Sequence, residues 1–339
     1  KSLGRQGRLP AGLTARDLEL GLRTCASCMQ GKAHRLPFPK QARRRSAVKF
    51  QLIHSDVSGR MSVPCGDNRY FVTFIDDSTR ATWTYLMKKK SEVLDKYKLF
   101  LDEVVRPAGS RVGTLRSDDG GEYVNHEFRD FLRTTGTYHE ITARYSPAQN
   151  GVAERMNRTL VEMARTMLIA AGMSKEWWGY AILYATFVRN RCPTSALNGG
   201  VPYVEVSGRE PNYECLHPFG TSCYVWVPDE LRTKLDVKAT PGMFVGVSIM
   251  RKDCYLVYEP QNRRIIHARD VTFVYDMNAA HEILANHNPD FSDDYPPIHV
   301  NTRPDNISEI PAPSNHAVRL KQPKSTRARK VKPTSTTAS

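Results

Sequence analysis

The sequence lacks the features of a membrane-bound or secreted protein. It has no run of about 18 consecutive apolar residues, which a membrane-spanning helix would need, and no basic leader followed by an apolar stretch. Cysteine is scarce, with seven scattered residues among 339, and this odd, unpatterned set does not predict a disulfide framework. We therefore expect reduced thiols and no membrane partner. The chain opens with Lys1 rather than Met, so we expect a piece of a longer polypeptide.

An acidic excess is also missing, since the formal net charge is +14. Residues 1–50 contain 12 Lys and Arg against two acids, and residues 300–339 contain eight against two, whereas the middle of the chain is nearly neutral. Basic ends on a neutral body predict contact with a polyanion, because neutralised phosphates supply most non-specific nucleic-acid affinity. The alternative is that these arms only keep the chain soluble.

The central part of the sequence predicts a mixed α/β layered fold. Three β-rich runs separated by turn residues predict an antiparallel meander, and helices alternate with further strands after it. The predicted strands are Gln51–Val57, Tyr70–Ile75, Arg80–Met87, Val112–Leu115 and Tyr138–Thr142, and the predicted helices are Ser91–Val105, His126–Thr134, Ser146–Ala171 and Lys175–Arg191.

The helix over residues 146–171 is the clearest in the sequence. Ser146, Pro147 and Gln149 suit its first turn, although Asn150-Gly151 could delay the start to residue 150. Its predicted buried stripe is Val152, Met156, Leu160, Met163 and Met167.

Beyond about residue 206 the helical pattern gives way to short strands. Five β-rich runs separated by Pro, Gly and Asn predict a small barrel. They are Cys223–Val227, Met243–Val247, Cys254–Tyr258, Arg264–His267 and Val271–Val274. After residue 280 apolar residues thin out, which predicts a disordered tail.

Three acidic residues lie at notable positions, because an acidic side chain is costly inside a sheet unless a partner compensates it. Asp56 interrupts an apolar strand, Asp118 follows another strand, and Glu154 lies near the start of a helix. If folding brings them together, their repulsion calls for a cation, and hard oxygen ligands suit Mg²⁺ or Mn²⁺. Two such ions support in-line phosphoryl displacement without a covalent nucleophile. Each acid also has a plain alternative, as a strand cap, as a turn residue, or as the i+4 partner of Arg158.

The segments around these acids resemble the three acidic motifs of retroviral and retrotransposon integrases. They read HSDVSG at 54–59, LRSDDGGEY at 115–123 and SPAQNGVAERMNRTL at 146–160, and 35 residues separate Asp118 from Glu154, as in that family. Residues 71–93 and the pattern from Leu216 to Val271 are similar to the copia-type group. The resemblance implies that Asp56, Asp118 and Glu154 are the catalytic, metal-binding triad.

The same resemblance implies a fold, a domain order and an activity. It predicts a pre-integrase segment at 1–46, an RNase H-like catalytic core at 47–205, an SH3-like β-barrel at 206–280 and a disordered basic tail at 281–339. The implied activity is divalent-metal-dependent 3′-end processing and strand transfer on double-stranded DNA, by a homo-oligomer. One position departs from the family pattern, because Asp119 stands where relatives usually have Asn.

Four residues near Glu154 are candidates for DNA contact. Arg155 and Arg158 can reach phosphates from an exposed helix face, with pairing to Glu162 as the alternative. Gln149 and Asn150 lie in the segment that contacts the element DNA end in relatives, and they are equally suited to a turn.

Cys25-x-x-Cys28 looks like the end of the family's zinc-binding segment. Tetrahedral Zn²⁺ coordination needs two further ligands, and residues 1–24 contain no His. The pair is therefore a possible zinc half-site, and free thiols are the default interpretation.

The basic run at 321–332 (KQPKSTRARKVK) fits a nuclear-localisation signal or a DNA-contacting arm, and a solvated linker is the alternative. The nucleus is therefore the expected location. Two other functions stay open: a decayed or domesticated copy that binds DNA without catalysis, and a ribonuclease H.

Overall fold

The structure is a computed structural model that describes residues 45–142, 150–248, 251 and 253–275. Residues 46–339 form one unit, separate from residues 1–45. Three predictions lie outside the described residues: the half-site at Cys25 and Cys28, the DNA contact at Gln149, and the basic tail.

Aromatic and β-branched residues build the first sheet, whose second and third strands along the chain are almost wholly buried. Its five strands are β1 (Leu52–Val57), β2 (Tyr70–Asp76), β3 (Thr82–Met87), β4 (Thr114–Ser117) and β5 (Tyr138–Ile141). Their order is β3-β2-β1-β4-β5, with β1 to β3 antiparallel and β4 and β5 parallel to β1. The predicted meander and the RNase H-like mixed sheet are confirmed, and β1 is the central strand.

Helices cover both faces of this sheet. They are α1 (Val93–Phe100, continued by a π-helical turn at Leu101–Val105), α2 (Gly121–Val124), α3 (His126–Thr135), α4 (Gly151–Ala170), α5 (Trp178–Arg191) and α6 (Pro202–Ser207). One aromatic core, around Phe74 and Phe100, lies under α1 and α3, and a second lies under α4 and α5. Helices α2 and α6 were not predicted, because such short elements show no hydrophobic period.

Helix α4 differs from its prediction in its start and in its buried face. It begins at Gly151, which agrees with the later of the two predicted starts. Its buried residues are Gly151, Ala153, Asn157, Leu160, Ala164 and Leu168. The predicted stripe was therefore wrong except at Leu160, since Met156, Met163 and Met167 are only partly buried. Small residues let the helix approach the sheet closely, and the longer Met side chains cover the margin of that contact.

The second sheet is antiparallel and matches the predicted runs closely. Its strands are β6 (Ser222–Trp226), β7 (Ala239–Val247), β8 (Tyr255–Glu259), β9 (Arg264–Ala268) and β10 (Val271–Val274), in the order β10-β6-β7-β8-β9. A bulge between Phe244 and Gly246 bends β7, as such insertions do in small curved sheets.

The second sheet shares a hydrophobic core with helices α4 and α5. Trp177 packs edge-on against Tyr258 with ring centroids 4.8 Å apart, and Tyr184 meets Phe244 in the same way at 5.2 Å. The boundary predicted at residues 205 and 206 is therefore crossed by a continuous apolar contact, and its exact place stays a prediction. Within the described residues, no helix is both long and apolar enough to cross a membrane.

Gly220 is the tightest point of this contact. Its φ is +82°, and a Cβ at this position would overlap the Cβ of Ala171, just past the end of α4. We predict that Gly220→Ala lowers the free energy of unfolding by about 2–4 kcal/mol, because the substitution adds overpacking to backbone strain.

Urea unfolding measures this loss, with Gly109→Ala as the matched control. Gly109 also has a positive φ, +63°, but a Cβ there would meet nothing within 4 Å. The control should lose only about 1 kcal/mol from backbone strain. Equal losses in both variants would contradict the close contact at Gly220.

Candidate active site

Asp56 lies on the central strand and is held by helix α4. The Nδ2 of Asn157 donates to Asp56 Oδ2 at 2.9 Å and to the Asp56 carbonyl oxygen at 3.4 Å. The Oδ1 of Asn157 accepts a hydrogen bond from Thr73 Oγ1 at 2.8 Å, and Thr73 is the β2 partner of Asp56. One buried amide therefore fixes the orientation of the Asp56 carboxylate.

The charges of the two other predicted acids reach Asp56. Burial and, to a smaller extent, the carboxylates of Asp118 and Glu154 raise the pKa of Asp56 to about 7, while the hydrogen bond from Asn157 opposes them. The charges of Asp118 and Glu154 are therefore close enough to Asp56 to act on its pKa.

Asp118 lies in the turn directly after β4. The Gly120 N–H donates to its Oδ1 at 3.1 Å. Burial raises the pKa of Asp118; the hydrogen bond from Gly120 opposes this, Glu122 adds to it, and Lys90 opposes it. Lys90 itself pairs with Glu122 at 2.9 Å. The Asp118 carboxylate is therefore one of several acids in this part of the site, and Lys90 is the cation that the described residues place near it.

Glu154 is half-buried in the first turn of α4. Its carboxylate forms no hydrogen bond or ion pair with any described residue, so the alternative in which it pairs with Arg158 is not formed. No group of three or more His, Cys, Asp or Glu side chains in the described ranges is close enough to hold a metal ion. The charges of Asp118 and Glu154 act on the pKa of Asp56, but the three side chains do not form a closed coordination shell.

An open groove of about 260 Å³ runs from Asp56 along the outer face of α4. Arg158 and Arg165 line it, together with Asn157 and Glu162. Arg155 is exposed one residue after Glu154. The predicted alternative, pairing of Arg155 or Arg158 with Glu162, is not formed among the described residues. Guanidinium groups that pair with no acid among the described residues suit a phosphate backbone.

Asn150 does not fit its predicted role as a DNA contact. Its side chain is 1% exposed, and its Nδ2 donates to the Ser55 carbonyl oxygen at 3.1 Å. The side chain therefore binds the central strand, because its polar end is buried where α4 meets β1. The prediction that the Asn150 side chain contacts DNA is therefore replaced by this structural role.

Asn157 is the site residue that the sequence did not predict. An Asn inside a helix usually points to solvent, and the hydrophobic pattern assigned the buried face to other residues. The available signal was its spacing: Asn157 follows Glu154 by three positions, which places both on one helical face. This spacing indicates that the two side chains face the same partner strand.

Two family models match the chain. The integrase core domain matches residues 48–147, and the retroviral polymerase SH3-like domain matches residues 221–282. The first match contains Asp56 and Asp118, and the second contains strands β6 to β10.

Relatives among known proteins agree with both matches. The Retrovirus-related Pol polyprotein from transposon TNT 1-94 of Nicotiana tabacum is 39% identical over 253 residues, which is 74% of this chain and 19% of that protein. The corresponding polyproteins from transposons RE2 and RE1 of Arabidopsis thaliana are 36% and 33% identical, each over 74% of this chain and 17% of the relative. The chain thus spans less than a fifth of the length of these relatives.

A chain from a cryoEM structure of a simian T-cell lymphotropic virus intasome in complex with PP2A regulatory subunit B56 gamma aligns with a TM-score of 0.48 at 14% identity, over 75% of this chain and 88% of that chain. The family matches define a protein with an integrase core domain followed by a retroviral SH3-like domain. Its relatives are copia-like Pol polyproteins at 33–39% identity.

The raised pKa of Asp56 predicts a pH-dependent cost of folding. Between about pH 4 and pH 7 the unfolded chain carries a charge that the folded chain resists, so stability should fall as pH rises through this window. We predict that Asp56→Asn removes the contribution of Asp56 to this fall and stabilises the protein at pH 8, in the presence of a chelator, by about 1–3 kcal/mol.

Thermal unfolding from pH 4 to pH 8 measures the effect. Asp67→Asn is the control, because Asp67 is an exposed acid paired with Lys88 at the surface. The control should follow the wild-type profile. If Asp56→Asn showed the same dependence of stability on pH as the wild type, the Asp56 charge would not lower the stability of the folded protein.

Proposed function

We propose that this chain is a catalytically competent integrase that trims the 3′ ends of element DNA and joins them to target DNA. The observation that carries the proposal is the convergence of the Asp118 and Glu154 charges on Asp56, whose pKa burial already raises. A protein gains nothing in stability from three such acids, since each added charge raises the cost of folding. A cation that binds them would reverse this cost.

Asp56, Asp118 and Glu154 fit a pair of Mg²⁺ or Mn²⁺ ions by their donor chemistry, because all three supply hard carboxylate oxygens. Such ions, when bound, lower the pKa of an attacking hydroxyl and stabilise the leaving oxygen. The fit rests on charge and donor type, and ligand binding would have to draw the three side chains closer. A zinc site at Cys25 and Cys28 is proposed only if upstream ligands exist.

The protein's own residues then orient and neutralise the reactants. Asn157 holds the Asp56 carboxylate in one rotamer through its 2.9 Å hydrogen bond. Arg158, in the groove beside Asp56, would neutralise a phosphate of the bound strand. In strand transfer the 3′-oxygen of one DNA forms a bond to a target phosphorus, and the bond from that phosphorus to its 3′-oxygen breaks. The attacking hydroxyl loses its proton and the leaving oxygen gains one.

The proposed partner is double-stranded DNA, both as element ends and as target. We further propose a homo-oligomer, because two ends must be joined to one target in a coordinated way, and action in the nucleus, where that target lies. The groove along α4 supports the first of these proposals through Arg158 and Arg165, which line it.

The second candidate is a remnant that binds DNA without catalysis. The absence of a closed group of three ligands in the described part of the chain favours it, as does Asp119 in place of the usual Asn. Both candidates predict DNA binding, and only the first predicts metal-dependent joining.

Glu154→Gln tests the proposed chemistry, because it keeps the side-chain volume and removes one charge. We predict a loss of at least about 100-fold in strand transfer on element-end oligonucleotides with Mn²⁺ or Mg²⁺, in keeping with an essential ligand. A gel-based joining assay measures the product.

Glu127→Gln is the matched control, since Glu127 is an exposed acid in the first turn of α3, outside the groove. It should retain activity within about threefold of wild type. Full activity in Glu154→Gln would refute the assignment. DNA binding by a wild-type chain that cannot join ends would favour the remnant.

Arg158→Ala tests the DNA path along the groove. We predict weaker binding to duplex DNA of any sequence, and a decrease of about one in the slope of log K against log salt, because one phosphate contact is lost. Fluorescence anisotropy at several salt concentrations measures both. Arg133→Ala is the control, because Arg133 pairs with Asp130 on α3. An equal change of slope in both variants would contradict a specific path at Arg158.

A further inference from the structure

Ser55 connects the three segments that carry the acids. It precedes Asp56 on β1 and is 0% exposed. Its Oγ lies 2.6 Å from the hydroxyl oxygen of Tyr123, and its carbonyl oxygen accepts the hydrogen bond from Asn150 at 3.1 Å. Tyr123 belongs to α2, in the segment that follows Asp118, and Asn150 directly precedes α4. A single residue of the central strand is therefore bonded to both neighbouring acid-bearing segments.

The path from Ser55 to Asp118 consists of short hydrogen bonds. The Tyr123 N–H donates to the Gly120 carbonyl at 2.9 Å, and the Gly120 N–H donates to Asp118 Oδ1 at 3.1 Å. The Tyr123 ring is buried against Phe128, with centroids 5.7 Å apart. Anchoring the hydroxyl of Tyr123 therefore fixes the turn in which Asp118 lies.

The path to Glu154 is equally direct. The Glu154 N–H donates to the Asn150 carbonyl oxygen at 3.2 Å, in the first turn of α4. The Asn150 side chain then binds the Ser55 carbonyl. The first turn of α4 is thus tied to β1 at the residue next to Asp56.

This arrangement is a poor device for stability alone. The Oδ1 of Asn150 is buried and has no hydrogen-bond partner among the described residues, and an unsatisfied buried acceptor is costly. A buried hydroxyl pair such as Ser55 and Tyr123 can in general be replaced by apolar groups of the same shape with little loss. What hydrogen bonds add over apolar packing is a defined distance and direction.

We propose that Ser55 is a positioning residue that sets the separation of Asp56, Asp118 and Glu154 through its bonds to Tyr123 and Asn150, and so determines how tightly this site binds divalent ions. The inference rests on the proposed function in one respect, the identity of the ions as Mg²⁺ or Mn²⁺. Ser55 itself contacts neither ion nor DNA in this role.

The test measures Mn²⁺ binding to the full chain directly, by the electron paramagnetic resonance signal of free Mn²⁺. Ser55→Ala and Tyr123→Phe should each raise the Kd for Mn²⁺ about tenfold, as removal of supporting partners does at other metal sites. The double variant should be no worse than either single one, because both remove the same hydrogen bond. Tyr184→Phe is the matched control: its hydroxyl donates to the His217 carbonyl at 2.6 Å, away from the acids.

Thermal unfolding of the same variants separates positioning from stability. Tyr123→Phe and Tyr184→Phe should lose similar stability, with Mn²⁺ affinity changed only in the first. An unchanged Kd in both Ser55→Ala and Tyr123→Phe would overturn the proposal, and so would a wild-type chain that binds no Mn²⁺. If Mn²⁺ binding shifts as expected but the wild type cannot join DNA ends, the positioning role stands and the proposed integrase activity fails.

Discussion

The site depends on the cost of holding an ionisable carboxylate inside the central strand. Asp56 is half-buried and lies in the field of Asp118 and Glu154, so burial and repulsion act in the same direction on its pKa. The hydrogen bonds from Asn157 and from the Val57 backbone offset only part of this cost. Stability alone would favour an apolar residue at this position, and this supports the proposal that the acids bind a cation. The rest of the fold can be described by how it keeps them there.

Helix α4 is the element that links this site to the remainder of the molecule. Its first turn carries Glu154, its second carries Asn157, and its later turns bring Leu160, Ala164 and Leu168 into the core that also contains the second sheet. The direction of the helix is therefore fixed at one end by hydrogen bonds to β1 and at the other by apolar contact with β6 to β10. Because α4 is about 30 Å long and is held at both ends, a change of packing near Ala171 would shift the turn that carries Glu154.

The sequence predicted the strands well and the interior of the site poorly, for identifiable reasons. Strands β6 to β10 fell within a few residues of their predicted runs, since alternation and turn residues are local signals. The positions of Asp56, Asp118 and Glu154 came from motif resemblance, and their convergence could not be derived from spacing alone. The buried face of α4 was wrong because burial there follows closeness of approach, which favours Ala153 and Ala164, and polar pairing, which recruits Asn157.

A hydrophobic pattern cannot identify a buried polar residue whose position depends on a hydrogen bond to another polar residue. Ser55, Tyr123, Asn150 and Asn157 all lie within the interior, and each is there because of a partner distant in sequence. Their separations, from 68 to 101 residues, carry no periodicity. Asn150 shows the consequence most clearly: a residue whose type and place in the loop suggested contact with DNA is instead bonded to the central strand. Motifs therefore identify the acids of the proposed metal site. The residues that hold those acids in place are recognised only once the chain is folded.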